Sequence, residues 1–259
     1  MFGPDAATWL NGIITCDVLK VRAGRGTWGS LLSKQGKLSA DLQIVGQSEE
    51  LYLGVSGGDR GEILATLDRY LVMEDAEIEL SDRRWLVYSG ERPAIPGISG
   101  ELPWGINGLA AVCAESHDLD SIRANLNAIT QTSDEWRRWC TSNGFPVMGV
   151  DYSGTDNPHA ASLERRTVDW SKGCYLGQEV VCMQDMRGKV KRRLVGLKWK
   201  SAGGLLSGAE VTNANGDEVG KVTSSSEGRA IASVQSSDYK PGTQLRVSGQ
   251  TVVVFSLTE

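Results

Sequence analysis

Lys172-Gly173-Cys174-Tyr175-Leu176-Gly177-Gln178-Glu179 is the densest run of chemistry in this 259-residue chain. It sets one thiol between two glycines, beside a lysine and ahead of an amide and a carboxylate. Glycines let the backbone take positive φ or approach a ligand closely, Lys172 could lower the pKa of the Cys174 thiol, and Gln178 with Glu179 could hold polar groups. The bland alternative is a glycine-rich turn around a buried cysteine, since free cysteine is among the most buried residue types.

Outward from this stretch the two halves of the chain differ in period. Upstream, Asp59 followed by Glu62 forms a capping pattern, and Ile63, Leu64, Leu67, Tyr70 and Leu71 share a face, which predicts a helix over 59–73. Asp118 to Asn127 repeats the pattern, and Ser133 to Asn143 has Ser133 as its expected cap, with Gly144 and Pro146 ending the run. A first helix begins near Asp5. Strand-like runs cover 28–32, 38–45, 51–55, 76–80, 85–88 and 109–113, so helices and strands mix in α+β fashion. From about Arg193 onward there is no helical period. Short β-rich runs alternate with Asn215-Gly216, Glu227-Gly228, Pro241-Gly242 and Ser248-Gly249, which predicts a small all-β barrel or sandwich.

Composition narrows the class. With 40% hydrophobic and 23% charged residues this is an ordinary globular chain, which excludes disorder, collagen and coiled coil. No apolar run approaches a membrane span and no signal peptide opens the sequence, so no membrane and a cytoplasmic location are expected. Five cysteines without a C-x-x-C pair predict reduced thiols. Only two histidines occur, His117 and His159, neither in a metal-binding spacing, so no metal site is expected. A net charge of −5 argues against direct nucleic-acid binding. Within that acidic chain, Arg187 to Lys200 holds seven basic residues and no acidic one, which suits an anion or, equally, a solvated strand face.

The octapeptide resembles the K-G-C-[FY]-x-G-Q-E signature of the YgfZ family, folate-binding relatives of the glycine-cleavage T-protein that support iron-sulfur protein maturation or repair. The likeness extends to Asn143-Gly144-Phe145-Pro146, Asn157-Pro158-His159 and Arg187-Gly188-Lys189-Val190-Lys191-Arg192-Arg193-Leu194. Near the start it includes Trp9-Leu10-Asn11-Gly12-Ile13-Ile14-Thr15-Cys16-Asp17-Val18 and Gly36-Lys37-Leu38-Ser39-Ala40-Asp41-Leu42. The resemblance implies a T-protein-like α+β fold with two α+β lobes and a C-terminal β-barrel around a central folate cavity. The expected division is 1–46 and 131–192 for the first lobe, 47–130 for the second and 193–259 for the barrel.

The same resemblance implies tetrahydrofolate or a derivative as ligand, and iron-sulfur client proteins as partners, tRNA-modifying enzymes among them. Cys174 is the candidate thiol, and Asp41 is a candidate for proton transfer or ligand contact, against the alternative of a solvent-facing Asp on an edge strand. Asp41, His159, Trp170, Lys172, Gly173, Tyr175, Gly177, Gln178, Glu179 and Arg187 are the expected ligand contacts. Two departures stand out. Relatives open with a strand that is missing here, which implies an exposed edge or a misplaced start. Ala160 stands where relatives usually carry Glu, and Glu164 could substitute if the segment is helical. The rivals are a tetrahydrofolate-dependent aminomethyltransferase, which lacks the thiol signature, and a folate-free scaffold, which Ala160 favours.

Overall fold

The computed structural model describes residues 1–47, 49–56, 58–89, 98–102, 109–115, 118–125, 132–188, 190–200 and 204–257. The chain divides into two compact units, 1–130 with 166–178, and 131–165 with 179–259.

The first unit opens with helix α1 (Ala6–Ile13), whose Ala6, Ala7, Trp9 and Leu10 are buried. After the two-residue strand β1 (Gly24–Arg25), the strands β2 (Thr27–Leu32), β3 (Leu38–Gln47) and β4 (Glu50–Ser56) form an antiparallel sheet in that order, leaving β4 on its edge. Register places Ser30 opposite Asp41 and Asp41 opposite Ser56, so Asp41 lies on the central strand rather than the edge. Its apolar neighbours Leu42 and Ile44 join Leu10, Ile14, Leu31, Leu51 and Leu67 in one core cluster. Burial of each such side chain contributes about 1.5–3 kcal/mol.

Helix α2 (Arg60–Asp68) is capped by Asp59, whose carboxylate accepts the Glu62 amide. It stops five residues short of the expected 73. The Glu74 carboxylate accepts the Val72 and Met73 amides at 3.2 and 3.1 Å, drawing that backbone into a turn. The run 76–80, expected as a strand, pairs only through the bridge of Glu77 to Phe2. A second sheet joins β5 (Arg84–Ser89), β6 (Ile98–Glu101) and β7 (Leu109–Ala114) to β1, in the order β1-β6-β7-β5. Helix α3 (Leu119–Asn125) follows, and its expected end at 127 lies outside the described residues.

The second unit begins with α4 (Ser133–Ser142). Its cap is Thr132, not Ser133: the Glu135 amide donates to the threonine hydroxyl while the Glu135 carboxylate accepts the Thr132 amide, a reciprocal box that needs the residue three before the glutamate. Helix α5 (Gln178–Arg187) had no amphipathic signal, and only Val181 in it is buried. The tail closes into a six-stranded barrel of β8 (Arg192–Lys198), β9 (Glu210–Thr212), β10 (Glu218–Ser226), β11 (Arg229–Gln235), β12 (Gln244–Val247) and β13 (Gln250–Phe255). Its order is β10-β11-β8-β13-β12-β9, with Val195, Leu197, Ala232, Val234, Leu245 and Val252 inside. Between β12 and β13 the turn holds Ser248 and Gly249 at φ of 49° and 80°. Two successive left-handed residues match the twist of a two-residue hairpin.

Helix α4 lies against the barrel. Thr141 Oγ1 donates to Ser224 Oγ, Ser142 Oγ donates to Ser226 Oγ, and the Arg229 guanidinium donates to the Ser142 carbonyl at 2.7 Å. Trp136, Trp139 and Phe145 stack in series with ring centroids 5.0 and 5.8 Å apart. Among the described residues, no helix is long and apolar enough to cross a membrane.

Candidate functional site

Within the first unit, the returning segment 166–178 carries most of the signature, and its side chains divide by direction. Gly173 and Cys174 are exposed, whereas Tyr175 is buried. Gly177 sits at φ +78°, and a Cβ there would lie 2.6 Å from the Ser33 carbonyl oxygen in the turn between β2 and β3. Both conditions admit only glycine at 177, whereas a Cβ on Gly173 would meet nothing within 4 Å. Gln178 then opens α5 with Glu179 exposed in its first turn and Arg187 in its last.

Lys172 directs its ammonium to the end of α1. Its ammonium donates to the carbonyls of Asn11, Ile14 and Cys16, the last two at 2.7 Å. These are the orphan acceptors at and beyond the C-terminal end of α1, the negative end of its dipole. An ammonium has three protons, and each has a carbonyl. Burial depresses the Lys172 pKa, and the Cys16, Asp17 and Asp169 side chains oppose that shift. The same ammonium lies 5.5 Å from the Tyr175 ring centre. What distinguishes Cys174 is access. Cys16, Cys113 and Cys140 are buried, and burial pushes their thiols up to about 12, 11 and 12 respectively. Cys182 is half-buried.

Asp41 is 2% exposed, and burial lifts its carboxyl to about 7 against the opposing pull of a Ser30 hydrogen bond. The Ser30 hydroxyl lies 3.3 Å from Asp41 Oδ1 and 3.2 Å from Thr167 Oγ1. The Thr15 hydroxyl accepts the Ser30 amide at 2.8 Å and donates to the Thr167 carbonyl. Four buried polar residues, from the loop after α1, from β2, from β3 and from the returning segment, thus meet. A carboxyl that titrates near neutrality can both give and take a proton. Since free Asp ionises near 3.9 and folded Asp41 near 7, the unfolded chain loses this proton first as pH rises. Asp41 therefore costs nothing below about pH 4, and stability falls from there to about pH 7. Asp41→Asn is expected to remove that slope, its gain over wild type growing from about 1 kcal/mol at pH 4.5 to about 4 kcal/mol near pH 8, read from denaturant midpoints. Parallel pH profiles for the two proteins would contradict this account.

Thr167 also lines a cavity of about 410 Å³ with Trp28, Trp170, Lys20, Arg25, Arg166 and Asp169. Trp170 was expected near a ligand, whereas Trp28, Arg25 and Arg166 were not. Lys20 bridges Asp17 at 3.1 Å and Asp169 at 2.6 Å. Partial burial works against the Asp169 charge, but Lys20 and the Ser171 donors hold its carboxyl down to about 2. The cavity therefore combines two indole rings, two guanidinium groups and a paired acid. A regular hairpin turning at 33–37 would put position 30 opposite 40; a bulge between Leu31 and Leu32 moves the register so that Ser30 faces Asp41.

In the second unit, His159 Nε2 lies 3.2 Å from Asp185 Oδ1 on α5, and Arg165 reaches the same oxygen at 3.3 Å. The Asn157 amide donates to Gln184 Oε1 at 2.7 Å. The segment 158–167 runs as turns, not as a helix, so Glu164 does not sit one helical turn beyond Ala160. Instead it is buried and pairs with Arg193 on β8 at 2.6 Å. That pairing also removes Arg193 from the basic run. Arg187, Lys191, Arg192, Lys198 and Lys200 are exposed, and Lys189 lies outside the described residues, as does His117. Among the described residues, no group of three or more His, Cys, Asp or Glu side chains could hold a metal.

Residues 191–257 match the family model of the CAF17 C-terminal beta-barrel domain. The tRNA-modifying protein YgfZ of Edwardsiella ictaluri is 24% identical over 233 residues, covering 76% of this chain and 66% of that protein. The YgfZ of Vibrio vulnificus is 25% identical over 280 residues, covering 97% and 85%. Among solved structures, glycine cleavage system aminomethyltransferase T from Bartonella henselae superposes with a TM-score of 0.83 at 16% identity, covering 99% of this chain and 82% of that one.

Proposed function

Taking the chain as a YgfZ family protein related to the glycine-cleavage T-protein, we propose that it binds a reduced folate and acts as an accessory to iron-sulfur enzymes, including tRNA-modifying ones. The observation that carries the ligand half is the buried Asp41, linked through Ser30 and Thr167 to a cavity walled by Trp28 and Trp170. A flat heterocycle stacks on indole rings, and the glutamate carboxylates of a folate pair with guanidinium groups such as Arg25 and Arg166. A carboxyl titrating near 7 can share a proton with a pterin amine or amide. Cys174, exposed on the signature loop, is the group left to meet a client or a reactive species.

The test has two arms. Tetrahydrofolate is expected to quench tryptophan fluorescence to saturation, with Trp170→Ala weakening binding by about tenfold and Cys174→Ala leaving it within about twofold. In cells lacking their own relative, wild type is expected to restore an iron-sulfur tRNA-modifying activity and Cys174→Ala to restore little. A flat titration would move the protein to the scaffold reading. Equal rescue by both proteins would leave the thiol without a role.

A further inference from the structure

Helix α5 meets the rest of the second unit largely through polar groups. Val181 is its one buried side chain. Beside it, Gln184 Oε1 accepts the Asn157 amide, and Asp185 Oδ1 lies 3.2 Å from His159 Nε2 and 3.3 Å from the Arg165 guanidinium. The opposite face carries apolar groups. Val180, Met183 and Met186 are 37%, 41% and 86% exposed, and Glu179 and Arg187 are exposed with them. Residues of an α-helix advance by about 100° each, so these five lie within about 60° of Met183, with Val181 and Asp185 on the far side. One exposed apolar side chain says little, whereas three grouped on one helix face point to a surface that something covers. Gly188, at φ +63°, donates its amide to the Gln184 and Asp185 carbonyls at 3.1 Å and ends the helix there.

The order of residues on this face says what covers it. Glu179 lies four residues before Met183 and Arg187 four after, while Val180 lies three before and Met186 three after. The face is therefore mirrored in apolar character about Met183 and opposite in charge at its two ends. A two-fold axis perpendicular to the helix at Met183 would set a second α5 antiparallel to the first, each Met183 against its mate. Glu179 of one copy then comes level with Arg187 of the other at both ends, and Val180 comes level with Met186. Antiparallel pairing also brings the positive end of each helix dipole to the negative end of the other. Asp185, the other acid near this face, is turned away and held by Arg165.

We propose that this face joins two copies of the chain in an isologous dimer. Charge complementarity selects a second copy as the occupant, because the acid and the base stand at equal distances from the centre of the apolar strip. Methionines suit such a contact, since flexible thioethers fill irregular gaps. A helix of 10 residues is about 15 Å long, which places the contact in the small, reversible class below about 1,200 Å², with a Kd on the order of 10–100 µM. Glu179 closes the K-G-C-Y-L-G-Q-E signature, so in the dimer each copy supplies an arginine to the end of the other's signature. Residues 178–187 line no part of the cavity assigned to folate, so the two readings fail separately.

Sedimentation velocity of the full chain from about 1 to about 500 µM reads the association directly. Wild type is expected to pass from monomer to dimer over this range. Arg187→Glu and Glu179→Arg each set like charges level with one another at both ends of the pair, and each is expected to weaken dimerisation by at least about tenfold. Mixing these two variants in equal amounts is expected to restore a dimer within about threefold of the wild-type Kd, because every glutamate then meets an arginine. Met183→Lys enters the symmetric contact twice and is expected to abolish the dimer at about 500 µM. All three positions are exposed, and melting temperatures within about 2 °C of wild type would show that the variants are folded. A chain that stays monomeric at about 500 µM, a dimer indifferent to Arg187→Glu and Met183→Lys, or a mixture no better associated than either variant alone would overturn the proposal.

Discussion

Lys172→Met is expected to lower the melting temperature by roughly 5–15 °C, because it leaves the Asn11, Ile14 and Cys16 carbonyls without their shared donor. Each lost charged hydrogen bond at a half-buried site costs about 1–3 kcal/mol, discounted because the three share one cation. Lys172→Arg is expected to recover little. A planar guanidinium cannot aim at three carbonyls grouped around a point charge. The same variant separates two roles for this lysine. If it stabilised the Cys174 thiolate, its removal would slow alkylation of that thiol by about an order of magnitude. With the ammonium turned to α1, the rate below the melting transition is expected to stay within about twofold of wild type. A normal melting temperature with slowed alkylation would reverse this assignment.

The second large effect lies in the other unit. Arg193→Met removes the cation held 2.6 Å from Glu164, whose side chain is 4% exposed. Removing a paired cation from a buried carboxylate costs up to about 3 kcal/mol, so the denaturant midpoint is expected to fall accordingly. Glu164→Leu added to Arg193→Met is expected to restore most of the loss, because two apolar groups of similar volume replace the pair without stranding a charge. If the double variant is no more stable than Arg193→Met alone, the cost was packing and not charge.

The barrel was legible strand by strand because its turns carry glycines at positive φ, although β10 runs to Ser226 through a polar end that gives no alternation to read. The central sheet was legible for the same reason. Three features escaped. The run 76–80 alternates as a strand does, yet strands exist only where a neighbour supplies hydrogen bonds, and position 2 supplies one bridge. Helix α5 has little apolar face to read. Thr132 was passed over because the adjacent Ser133 is an equally good capping type, and only the three-residue spacing to Glu135 separates them. For the candidate site, the octapeptide marked a loop on which Cys174 is exposed, but the direction of Lys172 could not be read. That direction depends on where the end of α1 lies, more than 150 residues upstream. Thr15 and Thr167 escaped for the same reason: two common residue types become informative only when folding sets them side by side.

The return of 166–178 to the first unit also bears on how the protein is made. A polypeptide emerges from the ribosome in order, at about 5–20 residues per second. When residue 130 has emerged, α1 still lacks its lysine and Ser30 still lacks Thr167. The nascent first unit waits a few seconds for the signature loop, and contacts of such sequence separation are slow to form in any case. The second unit closes only with the last strand of its barrel. Translation must therefore reach residue 178 before the first unit is complete and the last barrel strand before the second is. A ribosome that stops near residue 165 releases a chain with both units open, a substrate for chaperones or proteases and not a smaller working protein.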